Sequence, residues 1–272
     1  MINLNGTLIS ENKEVLNFNN RAFKYGDALF ETVKVENLKV IFVEDHYFRL
    51  MASMRMLRME IPMSFTLEFF EKEIINTVEK NELIDARVRF SVFRQDGGLY
   101  NPESNKVDYL IETSPLNSKK KEVYTIDLFK DYYIYSGLLS TVKTTNKITN
   151  VLAGIYADEN ELDNCILVNE KKQVVEAING NIFVVKDNVI KTPPITDGCV
   201  KGIIRKKLIE LISNSAKYEI EENSISPFEL QKADEIFITN AIVGIQAVSS
   251  YKKSVFNSEV SGEISEELKK LI

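Results

Sequence analysis

A single histidine limits the acid–base chemistry open to this chain. His46 is the only histidine in 272 residues, so a Ser-His-Asp triad or a multi-histidine metal site would have to be built around it alone. Neither a GxSxG nor a HExxH motif accompanies it. We expect His46 to be a helix residue satisfied by local hydrogen bonds. Proton transfer would then fall to a lysine or a carboxylate.

Four segments contain residue types that could hold and use a cofactor. Residues 21–32 form an aromatic-Gly-Asp turn that enters a strand, and Arg49 lies one turn into a helix. Lys143 stands between a strand-like segment and a helix. The fourth segment, residues 175–183, contains Glu176 and is followed by further Pro- and Gly-containing turns. Each segment alone could equally be a tight loop, a solvated arginine or a surface lysine.

In this order and at these separations, the four segments resemble the class IV aminotransferases, which are pyridoxal-phosphate (PLP) enzymes of fold type IV. The resemblance runs from the YGDALFET segment to Thr239-Asn240-Ala241 and so covers nearly the whole chain. It implies a two-domain α/β (α+β) fold like that of D-amino-acid aminotransferase. A small N-terminal α/β domain and a larger, β-rich C-terminal domain would have PLP between them.

The resemblance also implies which residues hold the cofactor. Lys143 stands where the family keeps the lysine that forms a Schiff base with PLP and moves protons at the substrate α-carbon. Glu176 matches the carboxylate that keeps the pyridine nitrogen protonated, and Arg49 matches the arginine that binds the phosphate. The remaining expected cofactor residues are Asn181, Gly202, Ile203, Ile204, Thr239 and Asn240. Many relatives carry a hydroxyl residue where Ile204 stands, so this site would rely on backbone amides.

Four side chains are expected to contact the substrate. Arg94 is the first candidate partner for a substrate carboxylate and Arg89 the second, while Tyr25 and Phe30 would line the site. Three features favour an aminodeoxychorismate lyase: the segment 239–242, the apolar Ile204, and the turn 93–100, in which Leu99 replaces a frequent arginine.

Two other functions stay open. Residues 30–32 fit a branched-chain or D-amino-acid aminotransferase equally well. An inactive, ligand-binding homologue is a third possibility, but the presence of both Lys143 and Glu176 speaks against it.

Composition excludes several classes of protein. The formal net charge of -6 argues against nucleic-acid binding. The separated Cys165 and Cys199 predict neither a disulfide framework nor a zinc site, and we expect no metal. Nothing resembles a signal peptide or an apolar run of about 18 residues. We therefore expect a soluble, cytoplasmic protein that acts on a small amino substrate and, as the family resemblance implies, forms a homodimer.

The elements that must position these residues follow from periodicity and turn chemistry. Asn5-Gly6 predicts a hairpin, and apolar residues at helical spacing predict one helix over 45–58 capped by Asp45 and another over 65–80 with Phe69 facing inward. Ser226 begins a predicted capping box, and a last helix is predicted from about Ser265. The polar stretch 114–121 predicts a linker between an N-terminal domain (1–113) and a C-terminal PLP-binding domain (122–272).

Overall fold

Alternating apolar residues in the first part of the chain build one antiparallel sheet. The computed structural model describes residues 1–272 and groups them into two compact units, of which unit 1 comprises Met1–Asn117 and Lys143–Asn146. Its strands are Ile2–Leu4 (β1), Thr7–Ile9 (β2), Ala28–Glu36 (β3), Lys39–Val40 (β4), Ala86–Arg94 (β5) and Val107–Pro115 (β6). They are ordered β2-β1-β6-β5-β3-β4. The predicted hairpin at Asn5-Gly6 joins β1 to β2.

Three helices accompany this sheet: Arg21–Tyr25 (α1), Val43–Met56 (α2) and Leu67–Lys80 (α3). Helices α2 and α3 bury their apolar side chains against it. The ring centroids of Phe70 in α3 and Phe90 in β5 lie 4.8 Å apart. Two expectations were wrong in detail. Asp45 does not cap α2, which begins after a left-handed Phe42 without a side-chain cap. Phe70, not Phe69, is the fully buried phenylalanine of α3, because Phe70 shares the inward face of the helix with Ile74 and Val78.

Unit 2, Ser118–Val142 with Lys147–Ile272, contains two five-stranded mixed sheets. Its strands are Thr125–Leu128 (β7), Asn164–Val168 (β8), Val174–Ala177 (β9), Asn181–Lys186 (β10), Val189–Thr192 (β11), Glu219–Glu222 (β12), Glu235–Asn240 (β13), Gly244–Ala247 (β14), Ser250–Tyr251 (β15) and Ser254–Val255 (β16). The sheets are ordered β12-β11-β10-β13-β14 and β16-β15-β7-β8-β9. Their side chains share one apolar core that includes Ile166, Ile182 and Ile238.

Four helices belong to unit 2: Ile148–Glu159 (α4), Ile203–Ser213 (α5), Pro227–Leu230 (α6) and Glu259–Lys269 (α7). Ala153 and Ala157 of α4 pack on Cys165 and Leu167 of β8. The predicted capping box at Ser226 is confirmed at the start of α6. Helix α7 begins six residues before the predicted start, and the Glu235 carboxylate accepts hydrogen bonds from the backbone amides of Val260 and Ser261 in its first turn.

The division into units differs in two places from the predicted boundaries. Ser114 and Pro115, expected in the linker, complete β6. Lys143–Asn146, expected with the C-terminal domain, belongs to unit 1 because it hydrogen-bonds along β3. None of the seven helices combines the length and the apolar character that crossing a bilayer requires.

Candidate active site

Lys143 lies on a short segment fixed against the start of β3. The Phe30 amide donates to the Lys143 carbonyl at 3.0 Å, and the Thr145 amide donates to the Ala28 carbonyl at 3.1 Å. The Asn146 side-chain amide adds a 3.0 Å bond to the Gly26 carbonyl. Gly26 is left-handed (φ 63°), and a Cβ there would collide with the Asn146 side chain. Glycine is therefore required where the turn before β3 meets this segment.

Two cationic side chains lie over the aromatic ring of Phe30. The Lys143 Nζ atom lies 4.2 Å from the ring centroid and the Arg89 Cζ atom lies 3.8 Å from it. Arg89 is half-buried, and burial lowers the pKa of its guanidinium, although the carboxylate of Glu112 opposes this effect. Three residues that sequence analysis assigned to catalysis and substrate binding thus meet in unit 1.

A buried carboxylate holds Arg49 in place. Glu31 accepts hydrogen bonds from Arg49 Nε at 2.8 Å and from Arg49 Nη2, and it pairs with His46 Nδ1 at 2.7 Å. Burial alone would raise the pKa of Glu31, but the charge of Arg49 and the hydrogen bonds from both partners lower it to about 2. Since an ionised carboxylate can only accept, His46 Nδ1 must be the donor. Burial also lowers the pKa of His46.

Arg94 is not placed as we expected. Its guanidinium is buried and bonds within unit 1 to Asp27 at 2.9 Å, to Asn105, and to the Leu57 carbonyl at 2.7 Å. Asp27 also accepts a 2.9 Å bond from Arg21 Nε. These internal bonds occupy Arg94, so of the two predicted carboxylate partners only Arg89 lies beside Lys143.

Arg21 organises the glycine turn that follows β5. Its Nη1 atom donates to the carbonyls of Gly97 at 2.9 Å and Leu99 at 2.7 Å, and its Cζ atom lies 4.9 Å from the ring centroid of Tyr25. Tyr25, predicted to line the site, is half-buried and also contacts Tyr100. Arg21 therefore links the turn to Tyr25 and, through Asp27, to Arg94.

In unit 2, Glu176 and Asn181 hold the loop before α5. Glu176 is buried on β9 and accepts a 2.8 Å bond from the Val200 amide. Asn181 donates to the Val200 carbonyl at 2.9 Å, and a Cβ on Gly202 would collide with the Asn181 side chain. Asn181, a predicted cofactor residue, therefore holds this loop in place through its hydrogen bond to Val200.

The end of β13 and the start of α5 offer groups suited to an anion. The Thr239 hydroxyl is buried without a hydrogen-bond partner, and Thr239 pairs with Asn181 across β13 and β10. Asn240 Oδ1 accepts from the amides of Ile242 and Val243 at 3.0 and 2.9 Å. Helix α5 has Gly202 as its N-cap, with no side-chain cap and no acidic residue in its first turn. Its first amides, those of Ile203 and Ile204, are thus available to an anion.

Comparison with known proteins agrees with these features. The family model described as Amino-transferase class IV matches residues 28–251. The chain belongs to the class IV aminotransferase family. A putative branched-chain-amino-acid aminotransferase of Methanocaldococcus jannaschii is 31% identical over 98% of this chain and 93% of its own. An aminodeoxychorismate lyase of Vibrio harveyi is 25% identical, with 84% of each chain covered.

A solved structure shares the fold. The branched-chain aminotransferase of the archaeon Thermoproteus uzoniensis superposes with a TM-score of 0.91 at 22% identity, covering 99% of this chain and 93% of that one. The chain therefore has the two-domain fold type IV architecture. As a member of the family it is a PLP-dependent enzyme, a transaminase or a lyase, that acts on a small amino substrate.

The residues present fit PLP. A lysine amine, a buried carboxylate, an unpartnered threonine hydroxyl and an uncapped helix start are the donor and acceptor types that an aldehyde, a pyridine nitrogen and a phosphate require. The two cysteines are buried and unpaired, and burial raises the pKa of each thiol to about 12. No group of three potential metal ligands is present.

Sequence reasoning missed three supporting residues. The sequence motif contains Glu31 without indicating its role, and it places Asp27 and Arg21 in a tight turn without indicating their ion pair. The signal for Glu31 was a carboxylate inside an apolar strand that precedes a helix bearing His46 and Arg49. Strand alternation places its side chain on the face opposite to that of Phe30.

Proposed function

We propose that Lys143 binds PLP covalently and carries protons to and from the substrate carbon that bears the amine. When bound, PLP supplies an electron sink for the bonds at that carbon. Support comes from the position of Lys143 over the Phe30 ring, beside the guanidinium of Arg89, which could bind an acidic substrate. Arg89 would bind the substrate carboxylate, because its guanidinium matches a carboxylate in shape and charge.

The other residues would hold the cofactor in its reactive state. Glu176 would keep the pyridine nitrogen protonated, since a nearby carboxylate favours the charged form. The Thr239 hydroxyl and the first amides of α5 would bind the phosphate, with Asn240 shaping the loop. Arg49 would also bind phosphate, with its guanidinium oriented by Glu31. Ile204 would contribute only its amide.

We further propose that the reaction is that of a 4-amino-4-deoxychorismate lyase, which supplies 4-aminobenzoate for folate synthesis. The observation that supports this most is the glycine turn after β5, which resembles that of the lyases. Gly97 and Gly98 have φ of 115° and 72°, and a Cβ on Gly98 would collide with the Asn101 carbonyl. Arg21 donates a hydrogen bond to this turn, and Asp27 links Arg21 to Arg94. The resemblance to the lyases therefore rests on the sequence of the turn, and Arg94 would contribute by supporting it through Asp27 and Arg21.

The lyase reaction needs no second substrate. The C–H bond at the amine-bearing carbon and the C–O bond to the enolpyruvyl group break, and the departing group takes up a proton to become pyruvate. The expected result is equal release of pyruvate and 4-aminobenzoate from 4-amino-4-deoxychorismate without added keto acid. The proposal fails if that substrate is inert while an L- or D-amino acid reacts rapidly with 2-oxoglutarate.

A branched-chain or D-amino-acid aminotransferase is the second candidate. It is favoured by the 31% identity to the Methanocaldococcus protein, which exceeds the 25% identity to the Vibrio lyase. A transaminase must return the amino group to a keto acid in each cycle. The assay with 2-oxoglutarate therefore separates the two reactions directly.

We also propose that the enzyme is a homodimer, as the family resemblance implies. Support comes from the apolar residues left exposed on one face of α4, Ile148, Val151 and Ile155. Exposed apolar residues at this helical spacing are typical of a face that another protein surface covers.

A further inference from the structure

The ring of Phe30, in β3, is contacted by side chains from the two chain segments that pair with this strand, on either side of it. On one side β3 pairs with β5, where Phe30 opposes Ser91 and Thr32 opposes Arg89. Arg89 is therefore the diagonal neighbour of Phe30 on the same face of the sheet. On the other side the Phe30 amide donates to the Lys143 carbonyl at 3.0 Å. Side chains from opposite sides of the strand thus reach the same aromatic ring.

The distances place both cations in direct contact with the ring. Arg89 Cζ lies 3.8 Å and Lys143 Nζ lies 4.2 Å from its centroid, both well within the range of about 6 Å for a cation–π interaction. The two charged groups are therefore no further apart than the sum of these distances, about 8 Å. At that separation they repel each other, and the negative face of the ring opposes the repulsion.

We propose that Phe30 is a positioning residue whose ring holds the Lys143 amine and the Arg89 guanidinium side by side and stabilises the cationic state of the Lys143 nitrogen. The inference rests on the proposed role of Lys143 as the PLP lysine. The ring fixes the distance between the group that would bind a substrate carboxylate and the group that would react at its amine.

The experiment compares Phe30→Leu, which removes the ring but keeps an apolar side chain, with Phe30→Tyr, which keeps the ring. For each PLP-loaded protein without substrate, the visible absorption band is titrated against pH to find where the Lys143 nitrogen loses its proton. Phe30→Leu should lower the midpoint by about half a pH unit to one unit, the range that a cation–π contact supports. Phe30→Tyr should retain the wild-type midpoint.

Arg89→Leu and the double variant complete a double-mutant cycle. Removing Arg89 should raise the midpoint because one repelling charge is lost, and the two effects should not add, since both side chains act on the same nitrogen. Phe90→Leu is the matched control. Phe90 lies in the adjacent strand, buried against Phe70 and Tyr109, so its loss should lower stability and leave the midpoint unchanged.

Failure of this inference can be told from failure of the proposed function. Borohydride reduction of every variant shows whether PLP is attached to Lys143. Attachment there with an unchanged midpoint in Phe30→Leu overturns the role of Phe30, whereas attachment to another lysine overturns the proposed function. If Phe30→Leu does not fold or does not bind PLP, Phe30→Met, which also lacks a ring, decides. A lowered midpoint in Phe30→Met then supports the role of the ring, and an unchanged midpoint overturns it.

Discussion

The buried carboxylate of Glu31 is kept ionised by Arg49 and His46. Its pKa is lowered from 4.5 to about 2, so the folded protein binds its proton more weakly than the unfolded chain does. The resulting stabilisation is fully present above pH 4.5 and is lost as the pH falls toward 2. The size of the shift corresponds to about 3 kcal/mol.

Glu31→Gln should lower the free energy of unfolding at pH 7 by about 3 to 5 kcal/mol, because it leaves the Arg49 charge without its carboxylate. The difference from wild type should shrink when urea unfolding is repeated at progressively lower pH. Glu11→Gln, in an exposed turn, is the control and should change stability little. An equal loss at pH 7 and pH 3 would contradict the account.

Glu176 permits a second prediction at the scale of one atom. Glu176→Gln replaces a charged oxygen with a neutral amide, yet the new side chain can still accept from the Val200 amide. PLP should remain bound, and loss of an α-deuterium from substrate should slow by about 100-fold, a typical cost of losing one electrostatic contact in an active site. A rate near that of wild type would show that Glu176 does not tune the cofactor.

At the scale of elements, the start of α5 depends on the absence of one side chain. Gly202→Ala adds a Cβ that collides with Asn181, so either the loop or the first turn of the helix must move. The affinity for PLP, measured by titrating apoprotein, should fall by about tenfold to 100-fold. Adding Asn181→Ala should restore space and recover part of the affinity.

Gly154→Ala is the matched control for that substitution. Gly154 lies inside α4, and nothing approaches the position of its Cβ, so alanine should be neutral or slightly stabilising there. A loss of PLP affinity in Gly154→Ala equal to that in Gly202→Ala would argue against a specific role for the start of α5.

Periodicity predicted α2 and α3 because the apolar residues of each helix face the core of unit 1. The hairpin at Asn5-Gly6 and the capping box at Ser226 are cases in which local chemistry agrees with the fold. The expected Asp45 cap was wrong because a left-handed Phe42 begins α2 in its place. The short helix α1 and the strands β12, β15 and β16 were not predicted, since pieces of two to five residues have too few positions to show a period.

The candidate site was predictable only where its residues belong to motifs. Lys143, Glu176 and Arg49 could be named from the resemblance. The hydrogen bonds of Arg94 could not be predicted, because they join it to Asp27, 67 residues away, and to Asn105 in the loop that follows β5. The same holds for the meeting of Arg89 and Lys143 over Phe30, which depends on the register of β3 and β5 and on how the Lys143 segment pairs with β3.

At the scale of the whole molecule, the homodimer proposal predicts a mass of twice 31.1 kDa in sedimentation experiments. Introducing Val151→Glu and Ile155→Glu together should shift the protein toward monomer, because two charges would then lie in an apolar interface. Ile84→Glu, an equally exposed apolar position in unit 1, should leave the mass unchanged. A wild-type monomer with full activity in dilute solution would contradict the proposal.

The central claim is that Lys143 carries PLP, and one measurement tests it most directly. The PLP-loaded enzyme is reduced with borohydride, digested, and its modified peptide is identified by mass spectrometry. The account predicts a single phosphopyridoxyl group, located on Lys143, and no such label in a Lys143→Ala variant that retains the native fold. A label on any other lysine of the wild-type enzyme would contradict it.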